Sequence, residues 1–253
     1  METAGLKQNF NNALLAMSDL ILPRVCVVCG CHLLVRERFL CLPCKADLPF
    51  TRFEKSHHNP MADKYNDSLN RIVPGMVQPY QYAIALLYYS HDNPYSNIPQ
   101  RLKYMGDIPE GRYFSRLLGQ RIAQAEHLKG IDLVIPVPLN RWRKFKRGYN
   151  QAAVIAKEIA SCIGANYLAD ALVRRRRTKT QTRLSAEQRA KNVRGAFRIN
   201  SKAAGKLMAA RHILLVDDVF TTGSTLGECH KSLREIVPTS VRISIATLSC
   251  VGG

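Results

Sequence analysis

Apolar residues recur along this chain in two rhythms, short unbroken runs and stripes of helical period. The runs are "YQYAIALLYYS" (Tyr80 to Ser90), "IDLVIPVPL" (Ile131 to Leu139), Ile213 to Val216 and Val241 to Leu248. Each reads as a buried strand, the first alternatively as one arm of a β-hairpin. Helical stretches alternate with them. Ile98 to Met105 is one. Arg112 to His127 is a second, with Leu117, Leu118, Ile122 and Ala125. Gln151 to Ile163 puts Ala152, Ile155, Ala156 and Ile159 on one face, and Thr225 to Val237 does the same with Leu226, Cys229, Leu233 and Ile236/Val237. Strands alternating with helices predict βαβ units and a parallel sheet, an α/β fold. Thr51 to Pro79 is polar and weakly periodic, so it is expected to be a solvated linker. Its His57 and His58 make a second metal site the alternative. The arginine-rich stretch after Val173 has no apolar period and predicts a loop.

Composition adds that the chain can fold. Its 253 residues are 46% hydrophobic, enough for one large domain or two small ones, and too apolar for a disordered protein. No run approaches the ~18 apolar residues of a membrane span. Met1 to Leu22 is amphipathic, an expected N-terminal helix without the apolar core and cleavage site of a signal peptide. A cytoplasmic location is the expectation.

Charge changes the picture more. The net charge is +18, and most of it sits in two segments. Arg141, Arg143, Lys144, Lys146 and Arg147 form the first. The second holds Arg174, Arg175, Arg176, Arg177, Lys179, Arg183, Arg189, Lys191, Arg194 and Arg198, with only Glu187 against them. Such concentration favours a polyanion, either a phosphorylated ligand or nucleic acid, over a merely solvated surface.

Cysteines point to a metal. Cys26-x2-Cys29 and Cys41-x2-Cys44 are separated by eleven residues. Each pair forms a knuckle presenting two thiolates, and two knuckles complete a tetrahedral shell suited to structural zinc. Disulfides are the alternative, disfavoured in a reducing compartment. Cys31 and His32 are spares that could replace a ligand. Cys162, Cys229 and Cys250 read as core residues.

The stretch "ILLVDDVFTTGST" carries the chemistry. Ile213 to Val216 deliver Asp217 and Asp218 to the C-terminal end of a strand, where ligands of parallel sheets bind. Gly223 frees the turn into a helix. Its N–H groups, with those of the helix start, make an anion cradle. Phosphate beside paired carboxylates suits a ribose 5-phosphate. The missing Gly-Lys-Ser/Thr signature argues against a P-loop NTPase.

This stretch resembles the phosphoribosyl pyrophosphate motif of type I phosphoribosyltransferases. With "RLKYMGD" (Arg101 to Asp107), "FKRGYNQA" (Phe145 to Ala152), "TQTRLSAEQRAKNVRGAF" (Thr180 to Phe197) and the four-cysteine knuckle, it is similar to the ComF family of competence proteins (ComFC) and GntX-like proteins. The resemblance runs from about residue 20 to the C-terminus. It implies a type I phosphoribosyltransferase-like fold with a parallel sheet core over 80–253, behind a zinc-binding region over 1–50 and a linker over 51–79. Asp217 and Asp218 would hold the ribose hydroxyls and indirectly Mg²⁺. Thr221, Thr222, Gly223, Ser224 and Thr225 would wrap the 5-phosphate. Pro136, Val137, Pro138 and Leu139 would approach the pyrophosphate, and Thr178 to Arg194 would be a basic loop over the site. Arg147, Tyr149, Asn150 and Gln151 would lie at the pocket mouth, with helix capping the alternative for Asn150 and Gln151. The implied role is binding of phosphoribosyl pyrophosphate and single-stranded DNA in DNA uptake or utilisation, with DNA-uptake or helicase machinery as partner. The DNA-binding candidates are Arg141, Trp142, Arg143, Lys144, Lys146, Arg147, Arg174, Arg175, Arg176 and Arg177. The alternative is an active phosphoribosyltransferase with a nucleobase-like acceptor. The sequence identifies neither that acceptor nor a catalytic residue.

Overall fold

A computed structural model of the chain describes residues 23–73, 80–90, 92–175 and 193–252. The expected N-terminal helix over Met1 to Leu22, Arg176, Arg177 and most of the expected basic loop lie outside them. Two compact units result, one drawn from Met1–Pro49 with Ser90–Ile98, the other from Phe50–Tyr89 with Pro99–Gly253. The division differs from the expected one, since residues 50–73 belong with the sheet-bearing unit instead of forming a linker.

In the first unit, helix α1 (Leu42–Ala46) follows a pair of turns around a small apolar centre of Val27, Val28, Leu33, Leu40 and Leu48. Tyr95 returns to this unit, its hydroxyl donating to Cys44 O and to Asp47 Oδ2, both at 3.2 Å.

The second unit opens with helix α2 (Pro60–Ile72) in the segment that reads as polar. Asn59 caps it by accepting from Ala62 N at 2.9 Å, and Pro60 supplies a preset first turn. Met61, Tyr65 and Leu69, one per turn, are buried. The polar Asn66 on the same face is satisfied: its Nδ2 donates to Ala62 O and Gln81 O, and its Oδ1 accepts from Gln81 N. Asn59 Nδ2 donates to Ala83 O, fixing the helix to the start of β1 (Ala83–Tyr89).

Next come α3 (Asn97–Gln100) and a single π-helical turn, Arg101–Met105, closed by Gly106. Helix α4 (Ile108–Gln124), strand β2 (Leu133–Pro136), helix α5 (Arg141–Arg147) and helix α6 (Gln151–Ile163) follow. Helices α4 and α6 approach so closely at Gly119 that a Cβ there would stand 2.7 Å from Cys162 Cβ. Cys162, expected in the core, is itself exposed, whereas Cys229 and Cys250 are buried as expected. Strands β3 (Asn166–Tyr167), β4 (Leu172–Arg174) and β5 (Phe197–Ile199), helix α7 (Ala204–Met208), strand β6 (His212–Phe220), helix α8 (Ser224–Arg234) and strand β7 (Arg242–Val251) complete the order.

Five strands form one sheet, β1-β7-β6-β2-β3, with every neighbouring pair parallel. This is the expected α/β class, and β1 pairs with β7 instead of forming a hairpin. Strands β4 and β5 make a separate antiparallel pair that draws Arg174 out of the expected loop. From β2 the chain passes through α6 to β3 on one side. From β6 it passes through α8 to β7 on the other. The connections diverge at the β2–β6 boundary, so the crevice beyond their C-terminal ends is a topological switch point.

Candidate functional site

At that switch point β2 stops first. Pro136 pairs with Val216, and Val137 N donates to Val216 O at 2.8 Å before Pro138, Leu139 and Asn140 leave the sheet. Strand β6 continues through the aspartates to Phe220, longer than the apolar run predicts, because β7 still pairs with it at Asp217 and Val219. Asp217 and Asp218 therefore stand beyond β2 on a rigid strand. Adjacent strand residues address opposite faces. Asp218 Oδ2 meets Lys103 Nζ at 3.2 Å, and this carboxylate raises the Lys103 pKa. Burial, then the charge of Asp218, pushes Asp217 up to about 7, while Asp218 N–H, Lys103 and Arg174 pull it partly back. Lys103, held on the π-helical turn, is a site residue that no periodicity marks.

The turn after β6 makes the other wall. Gly223 has φ +74°, and a Cβ there would press on the Phe220 ring at 3.2 Å and on Ser68 Cβ at 3.3 Å, so glycine is required twice over. Helix α8 begins at Ser224 with no side-chain cap. Its first N–H groups lack intrahelical partners and are available to an anion, beside the hydroxyls of Thr221, Thr222, Ser224 and Thr225. Thr222 Oγ1 and Ser224 Oγ lie 2.9 Å apart.

Other expected residues divide. Asn150 occupies the N-cap position of α6 without capping it. Its Nδ2 instead donates to Val137 O at 3.0 Å, bracing the loop after β2. Gln151 is buried, accepts from Arg147 Nη1 at 3.2 Å and donates to Lys103 O at 3.5 Å. The Tyr149 hydroxyl donates to Leu102 O. These three support the π-helical turn that carries Lys103. Arg174 is buried against the Phe197 ring and acts on Asp217, away from an open surface.

Asp217 gives a test with a definite sign. Its folded pKa is raised above 3.8, so the native protein binds that proton more tightly than the unfolded chain. The cost of ionising it grows as pH rises through that interval and is complete above about 7. Asp217→Asn cannot pay this cost. The variant's gain in melting temperature over the wild type should therefore be small at pH 5 and larger at pH 8, each tenfold displacement in proton affinity corresponding to about 1.4 kcal/mol. A gain that does not vary with pH in thermal-shift scans would contradict the assignment.

The basic helix α5 has a different character. Asn140 caps it through Trp142 N at 2.9 Å, Gly148 ends it, and Lys144, Lys146 and Arg147 occupy its last turn. None of its described side chains is buried. Trp142 and Phe145, three apart and so on one face, are 60% and 90% exposed. Tyr104 is also exposed, with the Arg147 guanidinium 5.2 Å from its ring centre. An exposed aromatic pair among cations is the composition of a stacking surface for single-stranded nucleic acid.

In the first unit, Cys26, Cys29, Cys41 and Cys44 bring their sulfurs within 4.8 Å of one another. Cys26 N donates to Cys31 O and Gly30 N to Cys26 O, forming one knuckle. Glu37 organises the other, accepting from Leu34 N at 2.8 Å and Leu42 N at 2.6 Å. Sulfurs about 2.3 Å from a tetrahedral zinc stand roughly 3.8 Å apart, and Cys29 Sγ and Cys41 Sγ are separated by 3.7 Å. The Cys31 N–H lowers the Cys29 pKa to about 6, favouring thiolate. The four thiols could thus hold one metal ion such as zinc, and the spares Cys31 and His32 stand outside the group.

Comparison with known proteins agrees with these features. The chain is 37% identical over 147 residues to Competence protein F of Haemophilus influenzae, covering 56% of this chain and 63% of that protein. It is also 34% identical over 138 residues to DNA utilization protein YhgH of Shigella flexneri and 33% identical to the Escherichia coli K12 protein of that name, covering 53% of this chain and 59% of each. These matches support the resemblance to the ComF family. The chain thus spans less than two thirds of the length of these relatives. No protein-family model matches the chain. No described helix is long and apolar enough to cross a membrane.

Proposed function

We propose that this protein binds phosphoribosyl pyrophosphate at the Asp217–Asp218 strand end and engages single-stranded DNA through α5, acting in DNA uptake or DNA utilisation in the cytoplasm. The carrying observation is the acid pair beside an uncapped helix start at the switch point. The acids would accept the ribose hydroxyls, the Thr221–Thr225 turn would donate to the 5-phosphate, and the loop Pro136–Leu139 would approach the pyrophosphate. Asp217, whose proton is held up to about 7, is a carboxylate that gains from a nearby cation. With the ligand's phosphates the acid pair would hold Mg²⁺, which supplies charge neutralisation at the leaving pyrophosphate. Lys103 would exchange Asp218 for a ligand phosphate and release that carboxylate for the sugar.

The names of the relatives, a competence protein and DNA utilization proteins, support the DNA role. Arg143, Lys144, Lys146, Arg147 and Arg175 would contact phosphates; the other expected contacts, the Arg141 side chain, Arg176 and Arg177, lie outside what the structure describes. Trp142 and Phe145 would stack on bases. A DNA-uptake or helicase machinery is the partner this role requires.

Binding of a labelled single strand, followed against salt, tests the reading. The log–log slope should approach −3 if about four cations engage phosphate, at about −0.7 each. Lys144→Ala with Lys146→Ala should flatten it. Trp142→Ala with Phe145→Ala should weaken binding at unchanged slope, because stacking contributes about 1–3 kcal/mol per base without releasing counterions. Unaltered affinity in the aromatic pair variant would remove α5 from the account. Release of pyrophosphate with a nucleobase and no DNA would favour the transferase reading.

A further inference from the structure

The N-terminal end of β1, opposite the aspartates, carries a second group of chemistry-bearing side chains. The ring centre of His57 lies 5.1 Å from that of His127, and Tyr82 stands 6.1 Å and 5.2 Å from the two. His127 belongs to the turn Glu126–Leu128 after α4. Both histidines line a cleft of about 370 Å³ with Glu54, Lys55, Gln124 and Glu126.

Two polar atoms of this lining are buried without a hydrogen-bond partner, Glu54 Oε2 and His127 Nε2. The Glu54 side chain is 5% exposed, and only its other oxygen is engaged, by Arg121 Nη1 at 2.5 Å. His127 is likewise 5% exposed. Buried polar atoms are nearly always satisfied, so two orphans in one cleft call for a missing partner. Burial, then the neighbouring His57, lowers the His127 pKa.

We propose that this cleft binds a divalent transition-metal ion of the zinc, nickel and cobalt class, held by the imidazoles of His57 and His127 and by the Glu54 carboxylate. Two imidazoles on one tetrahedral ion, at about 2.0–2.1 Å per nitrogen, hold their ring centres roughly 5 Å apart. The observed pair already has that separation. Among the described residues the four thiols are the one group of three or more ligating side chains already gathered to hold a metal, so the exposed His57 turns about its side-chain torsions to meet the ion while the buried His127 stays fixed. Glu126, exposed at the rim and paired with Lys129 at 2.7 Å, is a second carboxylate that lowers the local potential for a cation. The ion ties the segment before α2 to the connection between α4 and β2. It is independent of the strand-end site and of the four thiols.

Equilibrium dialysis against Ni²⁺ of the full chain carrying one zinc, on its thiols, with zinc and nickel counted by elemental analysis, tests the site. The wild type should take up one nickel per chain while its thiol-bound zinc is retained. His57→Ala removes an exposed side chain, so the fold survives it, and nickel affinity should fall at least tenfold. Glu54→Gln should weaken binding in the same direction. No uptake beyond the thiol-bound ion would overturn the proposal and leave the histidines as aromatic packing. Nickel bound equally well by wild type and His57→Ala would overturn it as well.

Discussion

Cys26→Ser or Cys44→Ser should yield protein without bound zinc in which residues 23–49 lose their fold, while the wild type, purified anaerobically, carries about one zinc per chain on its thiols. The reason is size. The first unit's apolar centre is a handful of side chains around Val27, Leu33 and Leu40, and assemblies this small seldom fold without a metal or disulfides. In zinc-finger peptides the ion contributes about 10–16 kcal/mol of apparent binding energy that is also folding energy. The sheet-bearing unit owns its core, including Ile84, Leu118, Ile135, Ile155 and Leu215, and should keep its cooperative melting. Hydrogen exchange separates the outcomes: protection vanishes over 23–49 and persists in β6 and β7. A Cys44→Ser protein with wild-type protection in the first unit would refute the metal's structural role.

The second large effect concerns the acid pair. Asp217→Asn with Asp218→Asn should cost at least a hundredfold in affinity for phosphoribosyl pyrophosphate. Each carboxylate–hydroxyl hydrogen bond is worth about 1.5–3 kcal/mol, and two are weakened together. The folded protein should not suffer, because Asp217 is charged only at a cost imposed by burial and by Asp218. Lost binding together with undiminished melting temperature distinguishes a site defect from misfolding. Lys103→Ala should weaken binding in the same assay, since the ligand takes over the lysine that Asp218 holds at 3.2 Å.

Long periodic elements were legible in the sequence. Gln151–Ile163 is the helix that its alanine and isoleucine stripe predicts, and β2, β6 and β7 follow their aliphatic runs. Helix α2 escaped because its buried face carries Asn66 and Ser68, and the distant backbone partner that satisfies Asn66, Gln81, is invisible to hydropathy. Its legible signal was Asn59–Pro60, a cap followed by a first-turn proline. Helix α5 escaped for the opposite reason: it buries none of its described side chains, so no period exists to read. The acid pair and its threonine turn announced themselves by composition. Lys103 and Arg174 did not, because the π-helical turn and the β4–β5 pair that bring them toward the aspartates are set by tertiary contacts.

The most direct test of the central claim is calorimetric titration of the wild-type protein, with Mg²⁺ present, with phosphoribosyl pyrophosphate, ribose 5-phosphate and inorganic pyrophosphate in turn. Paired carboxylates that read the sugar, beside a turn that reads its phosphate, predict one ligand per chain and phosphoribosyl pyrophosphate bound more tightly than either fragment. Inorganic pyrophosphate bound as tightly as the whole ligand would mean that basic charge alone captures it. That result, or the absence of any binding heat, would contradict the assignment of Asp217 and Asp218.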